Sequence, residues 1–419
     1  MASNSKIRNC LLYLSESVNQ IDISEDEINI VTVKRFVHIL EDIEDFRVKG
    51  RCVYKLENLI IMIFFAILSG HGSNCIDIAD YVSLNKNMFI RWEILSESDE
   101  TPSHDTFRRL LMNLDTNNLK EVVYRYLNDF FKKIEKMMSN SQYRQLSIDG
   151  KELRGTGRHK DSDNSKGNIA TLNIYDHTNG LILSSDSINK KDSEIVKARE
   201  KLELLNLEKT IVTCDAIHCQ KKTAQLIHNK HGYYVLRVKD NQESLSKDIE
   251  DRINSKKKVV KYIKTDTRDF YFYSLPSNYI GLEWPGQKTY IKVISHTRKT
   301  DEPANLYFIS NCSNKQLMIE AIENRWQIEN DHHKNKDYLL DEDKFRISDN
   351  IAVENIVALN DIVLAFIKIT FALMPELKTL KKTRMAFELQ PEKYLMMLLS
   401  LIDSDVLIDK LKELKKNKK

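Results

Sequence analysis

Two aspartates in this sequence each follow a short apolar run and precede a group of cations. Asp149 ends the alternating segment QLSID, and GKELRGTGRH comes next. Asp215 ends the segment TIVTCD, and a lysine pair follows a few residues later. Both segments have the pattern of a short strand, and ligand sites in open α/β sheets collect at strand ends. Because a carboxylate at such an edge is costly unless it is paired or binds a metal, either role is open for each aspartate.

A third acid lies in the later segment ENRWQIENDHHKNK. At helical spacing, one face of this segment carries Ile322, Arg325, Trp326, Glu329, His333 and Lys336. A charged helix alone usually presents such residues to solvent as ion pairs. The apolar members of this stripe favour a face directed into the protein instead, so we expect Glu329 to point inward, toward cationic groups.

Two aspartates at strand ends and one glutamate on a later helix form a ligand set for a hard cation. Mg²⁺ binds carboxylate oxygens, water and substrate phosphates, and two ions about 4 Å apart activate a nucleophile and stabilise a leaving oxygen. The metal charge would offset the repulsion among three close carboxylates. The neighbouring lysines and arginines would then hold a phosphate backbone.

Three other kinds of site fit the sequence less well. A phosphatase of the haloacid-dehalogenase type needs a second acid two residues after its aspartate, where this chain has Lys151. Gly155 and Gly157 are not followed by the lysine and hydroxyl residue of a P-loop. The pair His332 and His333 lacks the H-E-x-x-H spacing or a cysteine pair that would favour zinc.

The elements that must position these acids change in type along the chain. Residues 29–140 have helical patterns, including the apolar segment 58–70 and a helix that Ser103 is expected to cap. Strand patterns follow at 145–149, 169–176, 181–188, 210–215 and 233–238, with helical stretches at 193–205 and 219–230. DHTNG predicts a hairpin between the second and third strands. Residues 243–312 look like an inserted β-rich lobe, and helical patterns return after it.

Composition excludes several classes of protein. The 419 residues have a net charge of only +3, and 42% are hydrophobic, which is a globular composition for two or three domains. The six cysteines include no C-x-x-C pair, so a reducing cytoplasm is expected. The apolar segment 58–70 is shorter than the roughly 20 residues that span a bilayer, and no signal peptide is evident. We expect no membrane partner.

Several motifs in order then resemble a known family. They are IDGKELRGT, KDSEI (191–195), IVTCDAIHCQKKTA, YYVLRVKDNQ (233–242), RWQIENDHH and LDEDKFR (340–346), with GRCVYKLENLI and TPSHDTFRRLL in the N-terminal part. Through them the chain resembles the ISAs1 insertion-sequence family of DDE transposases, within the IS4-like group, and its H-repeat-associated relatives. Two positions depart from the group's pattern: Ile322 stands where tyrosine is usual, and His332-His333-Lys334 replaces Leu-His-Trp.

The resemblance implies a fold and a domain order. The fold is α/β, with an RNase H-like mixed-sheet catalytic core that carries a β-rich insertion. A helical N-terminal domain precedes the core, and C-terminal helices follow it. The expected boundaries are a flexible N-terminus at 1–28, a helical DNA-binding or associated domain at 29–140, the catalytic domain at 141–345 with its insertion at about 243–312, and a helical region with a basic tail at 346–419.

The resemblance also implies a site and a reaction. Asp149, Asp215 and Glu329 would be the catalytic residues and the ligands of two Mg²⁺ ions, for which Mn²⁺ can substitute. The expected DNA-binding residues are Lys151, Arg154, Lys221, Lys222, Lys239, Asn241, Arg325, His333 and Lys336. The expected partners are terminal inverted repeats and target DNA, in a synaptic homodimer that acts on the nucleoid in a bacterial cytoplasm.

Two functions follow from this reading. The first is a transposase that cleaves strands at the ends of its element and transfers them to a target. The second is a domesticated descendant that has lost catalysis and only binds DNA. Loss of a carboxylate would mark the second, and because all three are present, the sequence favours the enzyme.

Overall fold

The computed structural model of the chain comprises two compact units. The helical unit comprises Met1–Asn140, Glu152–Ile169 and His333–Lys419, and the sheet unit comprises Ser141–Lys151 and Ala170–His332. The structure describes residues 33–34, 36–123, 143–157, 168–178, 181–188, 191–239, 242–255, 261–266, 268–276, 283–296, 304–347, 349–391 and 394. The predicted flexible N-terminus and most of the predicted basic tail lie outside these ranges.

The sheet unit is built on one nine-stranded sheet. Its strands are β1 (Arg144–Leu153), β2 (Ile169–Asp176), β3 (Leu181–Ile188), β4 (Thr210–Cys214), β5 (Tyr233–Val238), β6 (Lys261–Lys264), β7 (Arg268–Ser274), β8 (Thr289–Ser295) and β9 (Ala304–Ser310). The spatial order is β3-β2-β1-β4-β5-β9-β8-β7-β6. The first five strands lie where the period-2 patterns predicted strands, so that part of the prediction is confirmed.

The first five strands have mixed directions. β2 and β3 form the predicted antiparallel hairpin, in which Asp176 is the partner of Leu181. β4 is parallel to both β1 and β5. Parallel neighbours need long crossovers. The connection from β1 to β4 contains β2, β3 and the helix α5 (Lys191–Leu204), and the connection from β4 to β5 contains the helix α6 (Lys221–Asn229). This is the mixed sheet of the expected RNase H-like core, with helices before and after it in the chain.

The insertion extends the same sheet instead of forming a separate lobe. β9 pairs antiparallel with β5, and β8, β7 and β6 continue the ladder outward. The insertion also begins with a helix, α7 (Glu243–Asn254), which the β-rich reading missed. The helix buries Leu245, Ile249 and Ile253 at i, i+4 spacing. That apolar stripe is visible in the sequence and would have predicted the helix.

Each face of the sheet is covered by its own helices. On one face, apolar residues of β1, β4 and β5 form a core with α5, α6 and α7, through side chains such as Leu202, Ile227 and Ile249. On the opposite face, Ile211 and Val235 pack in a second core against the helix α8 (Lys315–Gln327). Alternate residues along β4 and β5 therefore point either to the α5–α7 side or to the α8 side.

The helical unit contains two elements that the sequence predicted, an apolar helix and a helix that Ser103 caps. α1 (Leu56–Leu68) is buried on nearly every side, and it ends before Gly70, whose φ of +88° closes the last turn. α2 (Cys75–Leu84) and α3 (Lys86–Arg91) follow. The next helix, α4 (His104–Asn113), is capped by Ser103, whose Oγ accepts a hydrogen bond from the Thr106 N–H. The predicted cap is therefore confirmed.

Three further described helices of this unit follow the strands in the chain. They are α9 (Lys334–Leu340), α10 (Asn350–Leu373) and α11 (Leu380–Leu389). Asn355 of α10 donates hydrogen bonds of 2.9 Å to the carbonyls of Leu111 and Leu114, at the end of α4. α10 contains the one described segment, Asn350–Lys368, that is long and apolar enough to cross a membrane, and 83% of its apolar window is buried inside the fold. Such burial is typical of a core helix.

Gly155 lies in a short 3₁₀ turn after β1, within the helical unit. A Cβ at this position would lie 2.5 Å from the carbonyl oxygen of Asp343 and 2.7 Å from that of Phe345. Both atoms belong to backbone that a side-chain rotation cannot move. The backbone of Asp343–Phe345 can therefore approach this position only because residue 155 has no side chain. No local pattern of the sequence indicates this contact.

We expect Gly155→Ala to lower the free energy of unfolding by about 1–3 kcal/mol, because overpacking against fixed backbone forces the two segments apart. Urea unfolding of the full chain measures this. Arg154→Ala is the control: this neighbouring side chain is 83% exposed, so its loss should change stability by less than about 0.5 kcal/mol. Equal stability of the two variants would contradict the close-approach argument.

Candidate active site

Asp149 and Asp215 lie at matching positions on neighbouring strands. The parallel pairing of β1 with β4 ends with Ile148 opposite Cys214, so each aspartate is the first residue after the last paired position. The predicted strand end at Asp149 is wrong in one respect, since β1 continues to Leu153. It continues because β2 still lies beside its other edge.

Both aspartates occupy the face of the sheet that α8 covers. On β4, Ile211 packs against α8, and Asp215 is four residues later, on the same side by alternation. On β1, the Gln145 side chain accepts a hydrogen bond of 2.6 Å from Asn324 of α8, and Asp149 is again four residues later. Two carboxylates therefore share one face at the same level of the sheet.

A pair of hydroxyl groups ties the two strands together just below the aspartates. Ser147 and Thr213 are register partners, and their side-chain oxygens are 2.8 Å apart. Ser147 also contacts Nε2 of His177, and Thr213 donates to the Leu146 carbonyl at 3.2 Å. The sequence reading missed these residues, although their positions two before each aspartate were a usable signal. They hold the strand pair that carries the carboxylates.

Positive charge surrounds Asp215. Nη1 of Arg237 is 3.4 Å from Oδ1 of Asp215, and Nζ of Lys239 is 3.6 Å from Oδ2. Burial alone would raise the pKa of Asp215, but the Ala216 N–H and the charges of Lys239, Arg325 and Arg237 outweigh burial and lower it below its ordinary value. Asp215 is therefore an anion at neutral pH. Arg237 was also absent from the predicted site.

Another acidic residue, Glu194, lies beside the backbone next to Asp149. Glu194 of α5 lies against Gly150, where a Cβ would be 3.2 Å from its Oε1. The same Oε1 is 3.0 Å from Nε2 of His218, which is 1% exposed and lies in the 3₁₀ turn after Asp215. Glu194 thus links the residue that follows one aspartate to the turn that follows the other. Its match to the KDSEI motif was the only sequence signal.

We expect Glu194→Leu to lower the free energy of unfolding by about 1–3 kcal/mol, because it leaves the buried His218 ring nitrogen without its acceptor. Glu194→Gln keeps an acceptor oxygen and should recover most of the loss. Urea unfolding of both variants measures the difference. Glu200→Leu, at an exposed position on the same helix, is the matched control; a similar loss there would point to helix propensity instead of the histidine contact.

Glu329 lies in a π-helical segment, Ile328–His333, that directly follows α8. The prediction of one regular α-helical stripe from Ile322 to Lys336 is therefore wrong, because a π turn contains more residues than an α turn. Ile328 packs with Tyr175 and Ile182, and the His332 ring is 5.6 Å from the Tyr175 ring. The structure describes the backbone of Glu329 but not its side chain.

The predicted DNA-binding residues of the sheet unit differ in their exposure. Lys221 and Lys222 are exposed on the first turn of α6, and Lys239 is 44% exposed beside Asp215. Lys151 and Arg325 are 8% and 3% exposed, respectively. Lys151 follows Asp149 by two residues and shares its face by alternation, while Arg325 acts on Asp215 through its charge. Asn241 lies outside the described residues.

The remaining predicted contacts belong to the helical unit. Arg154 is exposed, and its guanidinium is 4.0 Å from Asp343. His333 is 8% exposed. Lys336 is 1% exposed, and its ammonium is 2.6 Å from Glu342 and 2.8 Å from Asp361. Lys336 in this position neutralises two buried carboxylates and is directed away from solvent, so we do not retain it among the proposed DNA contacts.

The carboxylate groups that follow the paired residues of β1 and β4 are suitable ligands for a hard cation. Asp149 and Asp215 provide carboxylate oxygens from one face and one level of the sheet, and the chain leads from α8 to a further carboxylate at Glu329. Among the side chains that the structure describes, no group of three or more His, Cys, Asp or Glu residues could hold a metal ion. The side chain of Glu329 is not part of that set.

Comparison with protein families shows the family to which this chain belongs. A profile of the family Transposase DDE domain matches residues 140–365, more than half of the chain. The chain belongs to the DDE transposase family. A second profile, DDE_Tnp_1-associated, matches residues 37–127 of this transposase. The predicted family is thus confirmed, while the narrower ISAs1 assignment stays a prediction.

The relatives of this transposase agree with the profiles. "H repeat-associated putative transposase YhhI" of Escherichia coli strain K12 is 24% identical over 347 residues, covering 77% of this chain and 87% of the relative. "Putative protein YbfL" of the same strain has the same identity and coverage. "Putative transposase YncI" of Escherichia coli O157:H7 is 22% identical, covering 81% of this chain and 88% of the relative.

The similarity to solved structures is low, as one example shows. It is a cryo-EM structure of a piggyBac transposase synaptic complex with hairpin DNA, with a TM-score of 0.38 and 14% identity, covering 91% of this chain and 81% of that chain. At this TM-score the family profiles carry the assignment alone.

Proposed function

We propose that this chain is an active insertion-sequence transposase of the ISAs1 type. It binds the terminal inverted repeats of its element, cleaves strands at the element ends and joins the freed ends to target DNA. Its proposed setting is the bacterial nucleoid, as a homodimer that holds two ends together. The observation that carries the proposal is the register of β1 and β4. Their parallel pairing ends with Ile148 opposite Cys214, so Asp149 and Asp215 are the next residues on two neighbouring strands.

The proposed catalytic residues are Asp149, Asp215 and Glu329. Their carboxylates would hold Mg²⁺ or Mn²⁺, and two such ions supply charge stabilisation and activation of the attacking oxygen when bound. The Ser147–Thr213 contact keeps the two strands in register under this site. Preorganisation of this kind matters because a misplacement of about 1 Å in a catalytic constellation costs on the order of 100-fold in rate.

The proposed DNA contacts of the sheet unit lie near Asp215. Lys221, Lys222 and Lys239 are exposed cations near Asp215 in the chain or in space, and Arg237 extends this set. Their charges suit the phosphates next to the cleaved bond, because lysine and arginine stabilise charge that spreads over phosphate oxygens. We retain Lys151, Arg154, Asn241, Arg325 and His333 as further candidates, of which Arg325 acts through the charge that it directs at Asp215.

The experiment that tests the proposal is cleavage of a labelled duplex that carries the end of the element flanking the gene. Nicking at the repeat boundary in Mg²⁺ or Mn²⁺, abolished by EDTA, is the expected result. Binding of the duplex with no cleavage in either metal would instead favour the domesticated, DNA-binding descendant. No binding and no cleavage would reject both functions.

A further inference from the structure

A short surface loop of the helical unit carries an unusual combination of residues. The segment FRVKGRCVYK, residues 46–55, joins the first helical residues to α1. It contains four cations and no acid. Val48 is 65% exposed and Val53 is 81% exposed. We call residues 48–53 the basic loop. Single exposed apolar residues are ordinary, so the notable feature is that two of them share one six-residue loop with the cations Lys49 and Arg51.

The base of the basic loop is fixed by Arg47. Its guanidinium donates two hydrogen bonds of 2.8 Å to the Asp45 carboxylate and one of 3.0 Å to the Tyr54 carbonyl. The Tyr54 hydroxyl in turn donates to the Glu100 carbonyl at 2.9 Å. The hydrogen bonds of Arg47 and Tyr54 therefore fix both ends of the loop. The loop has this conformation before any partner binds. A preorganised loop loses less entropy on binding.

The tip of the loop is a tight turn. The Arg51 N–H donates to the Val48 carbonyl at 3.2 Å, and Gly50 has a φ of +80°. This combination is typical of a type II turn, which favours glycine at its third position. No atom lies within 4 Å of a Cβ built on Gly50, so the glycine serves the backbone conformation, and the tip is open. Lys49 occupies the outermost corner of the turn.

We propose that the basic loop is a DNA-contacting element, with Lys49 and Arg51 on backbone phosphates and Val48 and Val53 against sugars or base edges. The inference rests on the proposed function, because it takes duplex DNA as the partner. Charge complementarity favours that partner: the exposed tip has two cations and no acid, which suits a polyanion. Apolar groups beside phosphate-binding cations match a groove surface, where thymine methyl groups offer apolar contacts.

The first test compares DNA affinity at several salt concentrations. The Lys49→Gln and Arg51→Gln double variant is expected to bind the element-end duplex about tenfold more weakly, with the log–log salt slope reduced by about 2. Lys378→Gln with Lys382→Gln removes the same charge from exposed positions of the same unit and is expected to bind like the wild type. Fluorescence anisotropy measures all three proteins. A loop variant indistinguishable from this control would overturn the inference and leave the proposed function standing.

A second variant separates the apolar contribution from charge. Val48→Ser with Val53→Ser keeps both cations and Gly50, so we expect weaker binding with an unchanged salt slope. An affinity equal to that of the wild type would reduce the loop to an electrostatic contact and overturn the assignment of the two valines. If the wild-type chain binds no duplex at all, the proposed function fails and the inference fails with it.

Cys52 offers a readout that is independent of affinity. It is exposed in the basic loop, whereas the other described cysteines, Cys75, Cys214, Cys219 and Cys312, are buried. In a Cys10→Ser background, duplex DNA is expected to slow maleimide modification of Cys52 at least about tenfold at saturating DNA. Unchanged modification under saturating DNA would overturn the inference. Protection by phosphatidylserine vesicles but not by DNA would assign the loop to a lipid surface and overturn it as well.

Discussion

Replacing Asp215 by asparagine is expected to abolish metal-dependent cleavage while DNA binding persists. Asparagine has nearly the same shape, but it removes the negative charge that the surrounding cations now stabilise. A loss of about 4 kcal/mol in transition-state stabilisation corresponds to a rate about 1000-fold lower. Cleavage of the labelled element-end duplex in Mg²⁺ and Mn²⁺ measures the effect.

The binding side of this prediction has its own physical basis. Lys239 and Arg237 lie 3.6 Å and 3.4 Å from the Asp215 carboxylate. Removing that charge removes an attraction that competes with phosphate for both cations, so the variant is expected to bind DNA as tightly as the wild type or slightly more tightly. Asp266→Asn, at an exposed position of the same unit, is the control for both assays. Cleavage by Asp215→Asn near the wild-type rate would remove Asp215 from the proposed catalytic set.

The second large effect is expected on stability, from Lys336→Met. The ammonium of Lys336 neutralises Glu342 and Asp361, and all three side chains are 1% exposed. Burial alone would lower the pKa of Lys336, but the two carboxylates outweigh it and hold the pKa above its ordinary value. Methionine would remove the positive charge of Lys336 from beside two buried carboxylates, at a cost of about 3–5 kcal/mol. Urea unfolding of the full chain measures the loss.

Two further variants show whether the loss comes from charge. Lys336→Met combined with Glu342→Gln and Asp361→Asn removes the uncompensated charges, so it should recover most of the stability. Lys344→Met removes a lysine that is 72% exposed beside Asp341, and it should cost less than about 0.5 kcal/mol. A triple variant as unstable as the single one would show that the packing of Lys336, and not its charge, stabilises the unit.

Local patterns predicted those parts of the fold that local chemistry determines. The alternation in QLSID predicted β1, and the apolar residues of TIVTCD predicted β4, all five of whose residues are buried between the helices on the two faces of the sheet. Ser103 predicted the start of α4 because a hydroxyl there satisfies a free backbone N–H. The two aspartates were predicted for the same reason. Each stands at the end of a strand pattern that can be recognised from the local sequence alone, without knowing which strand pairs with it.

Most of the features that the sequence did not predict depend on residues far apart in the chain. The contact of Gly155 with Asp343 and the ion pair of Lys336 with Asp361 join separate segments, which no short window of sequence contains. The π-helical segment around Glu329 interrupts a spacing that was read as regular. The joining of the insertion to β5 also depends on a long-range pairing, which turned a predicted lobe into a continuation of the sheet.

The pairing of β1 with β4 has a consequence for the order in which the protein becomes competent. Ser147 and Thr213 are 66 residues apart in the chain, and closing a connection of that length is entropically slow compared with local helix formation. Asp149 and Asp215 therefore come together only after the ribosome has released β4 and the parallel ladder has formed. A nascent or truncated chain that ends before β4 contains the first aspartate without its neighbour. The topology thus delays assembly of this carboxylate pair until β1 and β4 can both join the sheet.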